Sequence, residues 1–150
     1  MSAIAAICAM GRRATAGDAD AFEVLAGEAF GQLYRTASLI LRSNDRAADA
    51  VQEALTAAWL HIRAVRDPDR FDAWLHRLLV NACYEELRRH RRWSTRITVL
   101  PVDGLGGPDS TVSVDDRDAI DRAFRRLSPE HRAVFVLHHH AGHPLADIAD

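Results

Sequence analysis

The chain has 150 residues, of which 48% are hydrophobic and 27% charged, with a formal net charge of -2. That gives room for one ordinary domain or two small ones around a real core, and it excludes a wholly disordered chain. Two cysteines, Cys8 and Cys83, stand far apart in neither metal-type nor redox-type spacing, which excludes a disulfide scaffold and points to a reducing, cytoplasmic setting.

The opening MSAIAAICAM is apolar but too short to span a bilayer. Arg12 and Arg13 follow it, whereas a secretion signal carries its basic residues in front. Residues 1–17 therefore read as a flexible leader, and no membrane insertion is expected. From Phe22 to Leu41 the apolar positions Phe22, Leu25, Ala26, Ala29, Phe30, Leu33, Tyr34, Ala37, Ile40 and Leu41 form an almost unbroken helical stripe. Asp18 or Asp20 stands ready to cap its start. Ser43-Asn44-Asp45 reads as a stop and as the cap of the next helix.

The second helix, roughly Asp45 to Arg63, places Ala48, Val51, Leu55, Ala58, Trp59 and Ile62 on one side. Asp49, Gln52, Glu53 and Thr56 line the other. Arg66-Asp67-Pro68-Asp69 breaks the chain, so the third helix runs from about Asp69 to Arg92. Its apolar face is Phe71, Trp74, Leu75, Leu78 and Ala82; its end is a ladder of arginines. Between Arg77 and Arg96 six arginines (77, 88, 89, 91, 92, 96) face two acids, Glu85 and Glu86. Clustered arginine of this kind marks a phosphate-binding face, whatever the net charge of the chain.

After Trp93 the helical pattern collapses. Pro101, Pro108, Gly104, Gly106 and Gly107 favour a linker over 94–114. The linker is acidic, which serves solubility or lets it track along a basic channel of a partner. Helix returns at about Val114 to Arg126, with Ile120, Phe124 and Leu127 apolar. Ser128-Pro129-Glu130 opens another helix with a cap, a first-turn proline and an acid at the positive end of the dipole. Gly142 ends it, and Leu145-Ala146-Asp147-Ile148 begins a further short one. This reads as the start of a helix-turn-helix unit, without the helix that enters the major groove. Every predicted element is helical, so the fold class is all-α.

His138, His139, His140 and His143 raise the question of a metal, since His139 and His143 stand four residues apart. No neighbouring carboxylate or cysteine completes a site and Gly142 interrupts the helix. A polar helix end is the simpler reading, and no metal or other cofactor is expected. No glycine-rich phosphate loop, nucleophile motif or buried acid pair can be identified either, so no catalytic residue is assigned and the chain is not read as an enzyme.

With those residues in place, the chain resembles bacterial RNA polymerase sigma factors of the sigma-70 family, in the extracytoplasmic-function (ECF) group. The resemblance runs from about Phe22 to Asp150. It is carried by Val51-Gln52-Glu53-Ala54 with Ala57-Ala58-Trp59, by Phe71, Ala73, Trp74, Leu75 and Arg77 with Asn81-Ala82, by Glu86-Leu87-Arg88-Arg89, and by Leu127-Ser128-Pro129-Glu130 followed by Ile148-Ala149. It implies a three-helix region-two bundle over 18–93, a flexible linker over 94–114, and over 115–150 an incomplete, marginally ordered helix-turn-helix region-four domain lacking its recognition helix.

The resemblance also implies roles. Asp49, Gln52 and Glu53 would dock on the clamp helices of the largest subunit of core RNA polymerase, although Arg46 and Ala48 stand where the family usually carries acids. Asn81 would contact a base of the opened minus-ten promoter element. Arg77, Arg88, Arg89, Arg91 and Arg92 would neutralise phosphates. Trp74 belongs to the core stripe; Trp93 stands either as a stacking platform or as a cap on the bundle. The implied partners are core RNA polymerase, promoter DNA and an anti-sigma factor. The alternative reading is a non-initiating helical module, a decoy that binds polymerase or an anti-sigma factor.

Overall fold

The computed structural model describes residues 3–96 and 114–148, with side chains described over 9–93 and 117–148. Among the described residues the regular structure is helical: α1 (Ala3–Thr15), α2 (Ala19–Leu41), α3 (Asn44–His61), α4 (Phe71–Arg96), α5 (Val114–Arg126), α6 (Pro129–His139) and α7 (Leu145–Ile148). Two 3-10 turns, Ile62–Ala64 and Pro68–Arg70, join α3 to α4. The all-α expectation holds. The region expected as a linker lies largely outside the described residues.

Local chemistry sets the helix ends. Asp18 caps α2 by accepting from the Ala21 amide at 3.1 Å, and Ser43 Oγ accepts from Arg46 at the start of α3. The connection between α2 and α3 is very tight. Arg42 takes a left-handed conformation at φ 55°, unusual for a residue with a side chain, and its amide donates to the Ser38 carbonyl at 2.8 Å. Asp67 accepts from the Asp69 amide, and Pro68 supplies the preset φ of the turn into α4.

The core lies between α2, α3 and α4. Leu33, Ile40, Val51, Ile62, Leu75 and Leu79 are its largest fully buried aliphatic side chains there. Alanines at 47, 50, 54 and 58 form the buried edge of α3, so α2 and α4 approach it closely. The stripe expected for α4 needs correction: Leu79 and Cys83 are fully buried, while Leu78 and Trp74 are only partly so. Ala48 on α3 and Phe30 on α2 are exposed, although the periodicity placed both with the core. Trp59 is 41% exposed and packs at a tilt on Phe22, with ring centroids 5.1 Å apart.

Two expectations fail at the ends. Residues 3–15 form α1, which packs on α2 with Ala14 fully buried, where a flexible leader was expected. The alanine-rich run has a high helix propensity, and α2 and the turn at Pro68 supply the surface that it covers. At the other end α6 packs directly on α2. Ala133 and Val136 join the core, and Arg132, only 9% exposed, donates from Nη1 to the Ile40 carbonyl at 2.8 Å. Ile40 is in the last turn of α2, where carbonyls lack helical partners and the dipole is negative, so a guanidinium caps it well. The C-terminal helices are thus ordered by the bundle.

Candidate functional site

The outward face of α3 carries Asp49, Gln52 and Glu53, all exposed, opposite the buried alanine edge. Residues at i, i+3 and i+4 share a helix face, so the three side chains form one polar stripe. The structure adds a groove beside it. Between α3 and α4 lies a depression of about 440 Å³ whose polar rim includes Gln52, Glu53 and Asn81, over apolar Ala57, Leu60 and Leu78. Leu60 is 71% exposed. Sequence reasoning missed it because it falls outside the stripe of Ala58 and Ile62; a leucine beside a polar stripe was the available signal.

On α4, Arg77 and Asn81 are both exposed. At about 100° per residue, Arg77, Asn81, Arg88, Arg91 and Arg92 fall within a sector of about 100°. Arg89 turns away, towards α3. Its Nη2 donates to Glu53 Oε1 at 2.6 Å and lies 3.3 Å from Glu86, while Arg88 pairs with Glu85 at 3.0 Å. The hydrogen bond that Arg89 donates to Glu53, followed by the nearby acid charges, holds its guanidinium above its ordinary pKa. Two of the predicted phosphate contacts are therefore ion-paired within the chain, which the count of arginines against Glu85 and Glu86 understated because it omitted Glu53.

Asn81 sits on a crest. One side opens to the α3–α4 groove; the other, together with Arg77, lines a second depression of about 360 Å³. Its far wall is Val134 and Leu137 of α6 and Ile148 of α7. No local pattern could have announced that wall, since those residues lie more than fifty positions from Asn81. Trp93 is 66% exposed, so it does not cap the bundle. Its open indole retains the geometry a stacking platform needs.

The predicted residues thus divide in space. Gln52, Glu53, Asn81 and Arg89 come together across the α3–α4 groove, and Asp49 extends the stripe one turn back along α3. Arg88, Arg91, Arg92 and Trp93 continue along α4, several turns from Arg77. Cys83 is buried in the core, and burial, then the charge of Glu86, pushes its thiol up to about 12. It is a packing residue. Among the described residues no helix is long and apolar enough to cross a membrane.

The family described as "Sigma-70 region 2" matches residues 27–93, the span that contains α3, the groove and nearly all of α4. Over 136 residues the chain is 37% identical to "ECF RNA polymerase sigma factor SigM" of Mycobacterium tuberculosis, from both the Erdman and H37Rv strains. The aligned stretch is 89% of this chain and 67% of that protein. It is also 25% identical over 122 residues to "RNA polymerase sigma factor SigV" of Bacillus subtilis, covering 78% of this chain and 69% of that one. With the helical bundle, the polar stripe on α3 and the arginine-bearing α4 in the matched span, the chain belongs to the ECF group of sigma-70-family RNA polymerase sigma factors.

Proposed function

We propose that the chain binds core RNA polymerase through the outward face of α3 and directs promoter recognition and opening through α4, as a transcription initiation factor that acts by binding and not by catalysis. The observation that carries this reading is the position of Asn81. It shares a groove with Gln52 and Glu53 and lies within the arginine sector of α4, so one short surface can meet polymerase on one flank and opened DNA on the other.

In this reading residues 18–93 form the unit for polymerase and the minus-ten element, 94–114 link it onward, and 115–150 belong to region four. Asp49, Gln52 and Glu53 present an acidic-polar stripe to the clamp helices of the largest subunit. Leu60 adds an apolar contact at the edge. Asn81, with both an amide donor and an acceptor, reads an unstacked base; Arg77, Arg88, Arg91 and Arg92 hold phosphates, and Trp93 stacks. Arg89 joins them when Glu53 turns to polymerase. The chain works in the cytoplasm, where an anti-sigma factor would control it by covering the same α3 and α4 surfaces.

The packing of α6 and α7 beside Arg77 and Asn81 favours one further reading, a chain that binds polymerase or an anti-sigma factor without initiating. Run-off transcription with matched core enzyme, in parallel with a core-binding assay, tests both. Binding with transcript from a minus-ten-dependent promoter is expected. Binding without transcript from any promoter supports the decoy, and no binding to core refutes both the initiation factor and a polymerase-binding decoy.

A further inference from the structure

We propose that Asp72, His76 and His143 form a binding site for a divalent transition metal of the zinc class, held between the first turns of α4 and the loop that joins α6 to α7. One donor atom from each residue lies within 4.8 Å of the other two. Asp72 and His76 stand at i and i+4 on α4, and the fold brings His143 to them from 67 residues away in sequence. Two imidazoles and a carboxylate are a nitrogen-rich set that suits zinc, cobalt or nickel far better than calcium or magnesium.

The protonation pattern suits a ligand role. His76 is 2% exposed, and its Nδ1 donates to the Asp72 backbone carbonyl at 3.0 Å. A carbonyl can only accept, so Nδ1 carries a proton; Nδ1 also lies 3.5 Å from Asp72 Oδ1, and when the ring is neutral its lone pair is on Nε2. That Nε2 is buried without a hydrogen-bond partner, and so is Nε2 of His143. Two unpartnered imidazole nitrogens in one buried patch are unusual, because buried polar atoms are almost always satisfied. The two rings meet edge to face with centroids 4.5 Å apart, and both border the depression lined by Arg77 and Asn81.

Charge and support agree. The hydrogen bond from His76 is the chief reason that Asp72 stays below the usual carboxylate range, so it is ionised at neutral pH. Burial, then the charge of His76, holds His143 below the ordinary imidazole value. His76 itself is raised: burial opposes its protonation, but the hydrogen bond and charge of Asp72 outweigh it, so metal competes with a proton there. Around the site, Asp147 faces His143 from α7 and is itself paired with Arg70 at 2.8 Å. The turn carrying His143 is fixed by its amide donating to the Leu137 carbonyl and by His138 Nδ1 donating to the His143 carbonyl, both at 3.0 Å.

Zinc bonds of about 2.0–2.1 Å place tetrahedral donors roughly 3.3 Å apart. Asp72 Oδ2 and His143 Nε2 are already 3.6 Å apart. Asp72 is exposed, so its carboxylate can exchange its contact with His76 Nδ1, 3.5 Å away, for the ion and close the rest of the gap, with water or an external ligand in the fourth position. The bound ion would staple the α6–α7 turn onto α4, beside the groove that Arg77 and Asn81 share.

The test uses the full 150-residue chain without a histidine tag, stripped of metal and titrated with Co2+ and then Zn2+. One equivalent is expected to bind at micromolar or tighter affinity, with a tetrahedral cobalt visible band that zinc abolishes. Asp72→Asn and His143→Gln should each weaken binding by at least about tenfold. A His139→Gln/His140→Gln double variant should leave it unchanged. Asp72 is exposed and His143, though buried, lies in the turn between α6 and α7 and not in the α2–α3–α4 core, so circular dichroism can check that the fold persists in each variant. Zinc should also slow amide exchange at 140–148 and at the start of α4. Millimolar binding, binding that survives both ligand variants, binding lost with His139 and His140, or exchange protection elsewhere would each overturn the site.

Discussion

Arg89 on α4 donates from Nη2 to Glu53 Oε1 on α3 at 2.6 Å, so a side chain suited to phosphate and a side chain suited to polymerase satisfy one another across the groove. The pair is exposed, and exposed pairs contribute less than about 1 kcal/mol to stability. Its interest is as a coupling. Glu53→Gln should leave Arg89 only its longer contact with Glu86 and steepen the salt dependence of binding to single-stranded minus-ten DNA, by up to about one power of salt concentration. A logarithmic plot of affinity against salt checks this, and an unchanged slope would show that Arg89 does not reach phosphate.

Asn81→Ala should lose discrimination at one position of the minus-ten element while core affinity is retained. A single mismatched position is typically worth about 1–3 kcal/mol, so preferred and mismatched oligonucleotides should converge in affinity by that amount. Competition binding against an oligonucleotide series is the measurement. Uniform weakening across the series would instead make Asn81 a backbone contact.

Arg132→Met should undock α5–α7 from the bundle while the aliphatic packing is kept. The residue donates to the carbonyls of Ile40 and Leu127 and lies 5.5 Å from the centre of the Phe124 ring. Charge-assisted hydrogen bonds of this kind are worth about 1.5–3 kcal/mol, and the loss should fall on the C-terminal helices alone. Hydrogen exchange should accelerate over 117–148 and stay unchanged in the α2–α3–α4 core. Acceleration throughout would mean that the two parts unfold as one unit.

Thr36→Val should stabilise the chain. Thr36 is fully buried and its Oγ1 has no hydrogen-bond partner among the described residues. The isosteric methyl removes an unsatisfied hydroxyl worth about 1 kcal/mol, and a gain of about 2–4 °C in the melting temperature is expected for a chain of this size. A lower melting temperature would reveal a partner for the hydroxyl.

Cys83 should resist alkylation in the folded chain. With its thiol pushed up to about 12 by burial, then the charge of Glu86, Cys83 holds very little thiolate at pH 8, and burial blocks approach as well. A Cys8→Ser variant should therefore react with iodoacetamide only after unfolding. Rapid labelling of the native chain would show that the α4 face of the core opens.

Much of this molecule was legible in one dimension. The stripes of α2, α3 and α4, the caps at Ser43 and Ser128, the break at Pro68 and the polar face of Asp49, Gln52 and Glu53 all follow from spacing, because 3.6-residue periodicity and capping are properties of a few neighbouring residues. The same locality explains the errors. Leu79 was missed beside Leu78 because adjacent leucines differ only in which neighbour they meet, and α1 was missed because the surface that orders it is another helix.

The sequence by itself determined the helices, their polar and apolar faces, and the clustering of arginine near the end of α4. Only the tertiary structure decided which charges are spent on one another and which distant groups meet: Glu53 with Arg89, Ile40 with Arg132, and Asp72 and His76 with His143. Those contacts join positions 36 to 92 residues apart, and periodicity carries no information about separations of that length. They arise when packed helices bring their faces within hydrogen-bonding reach.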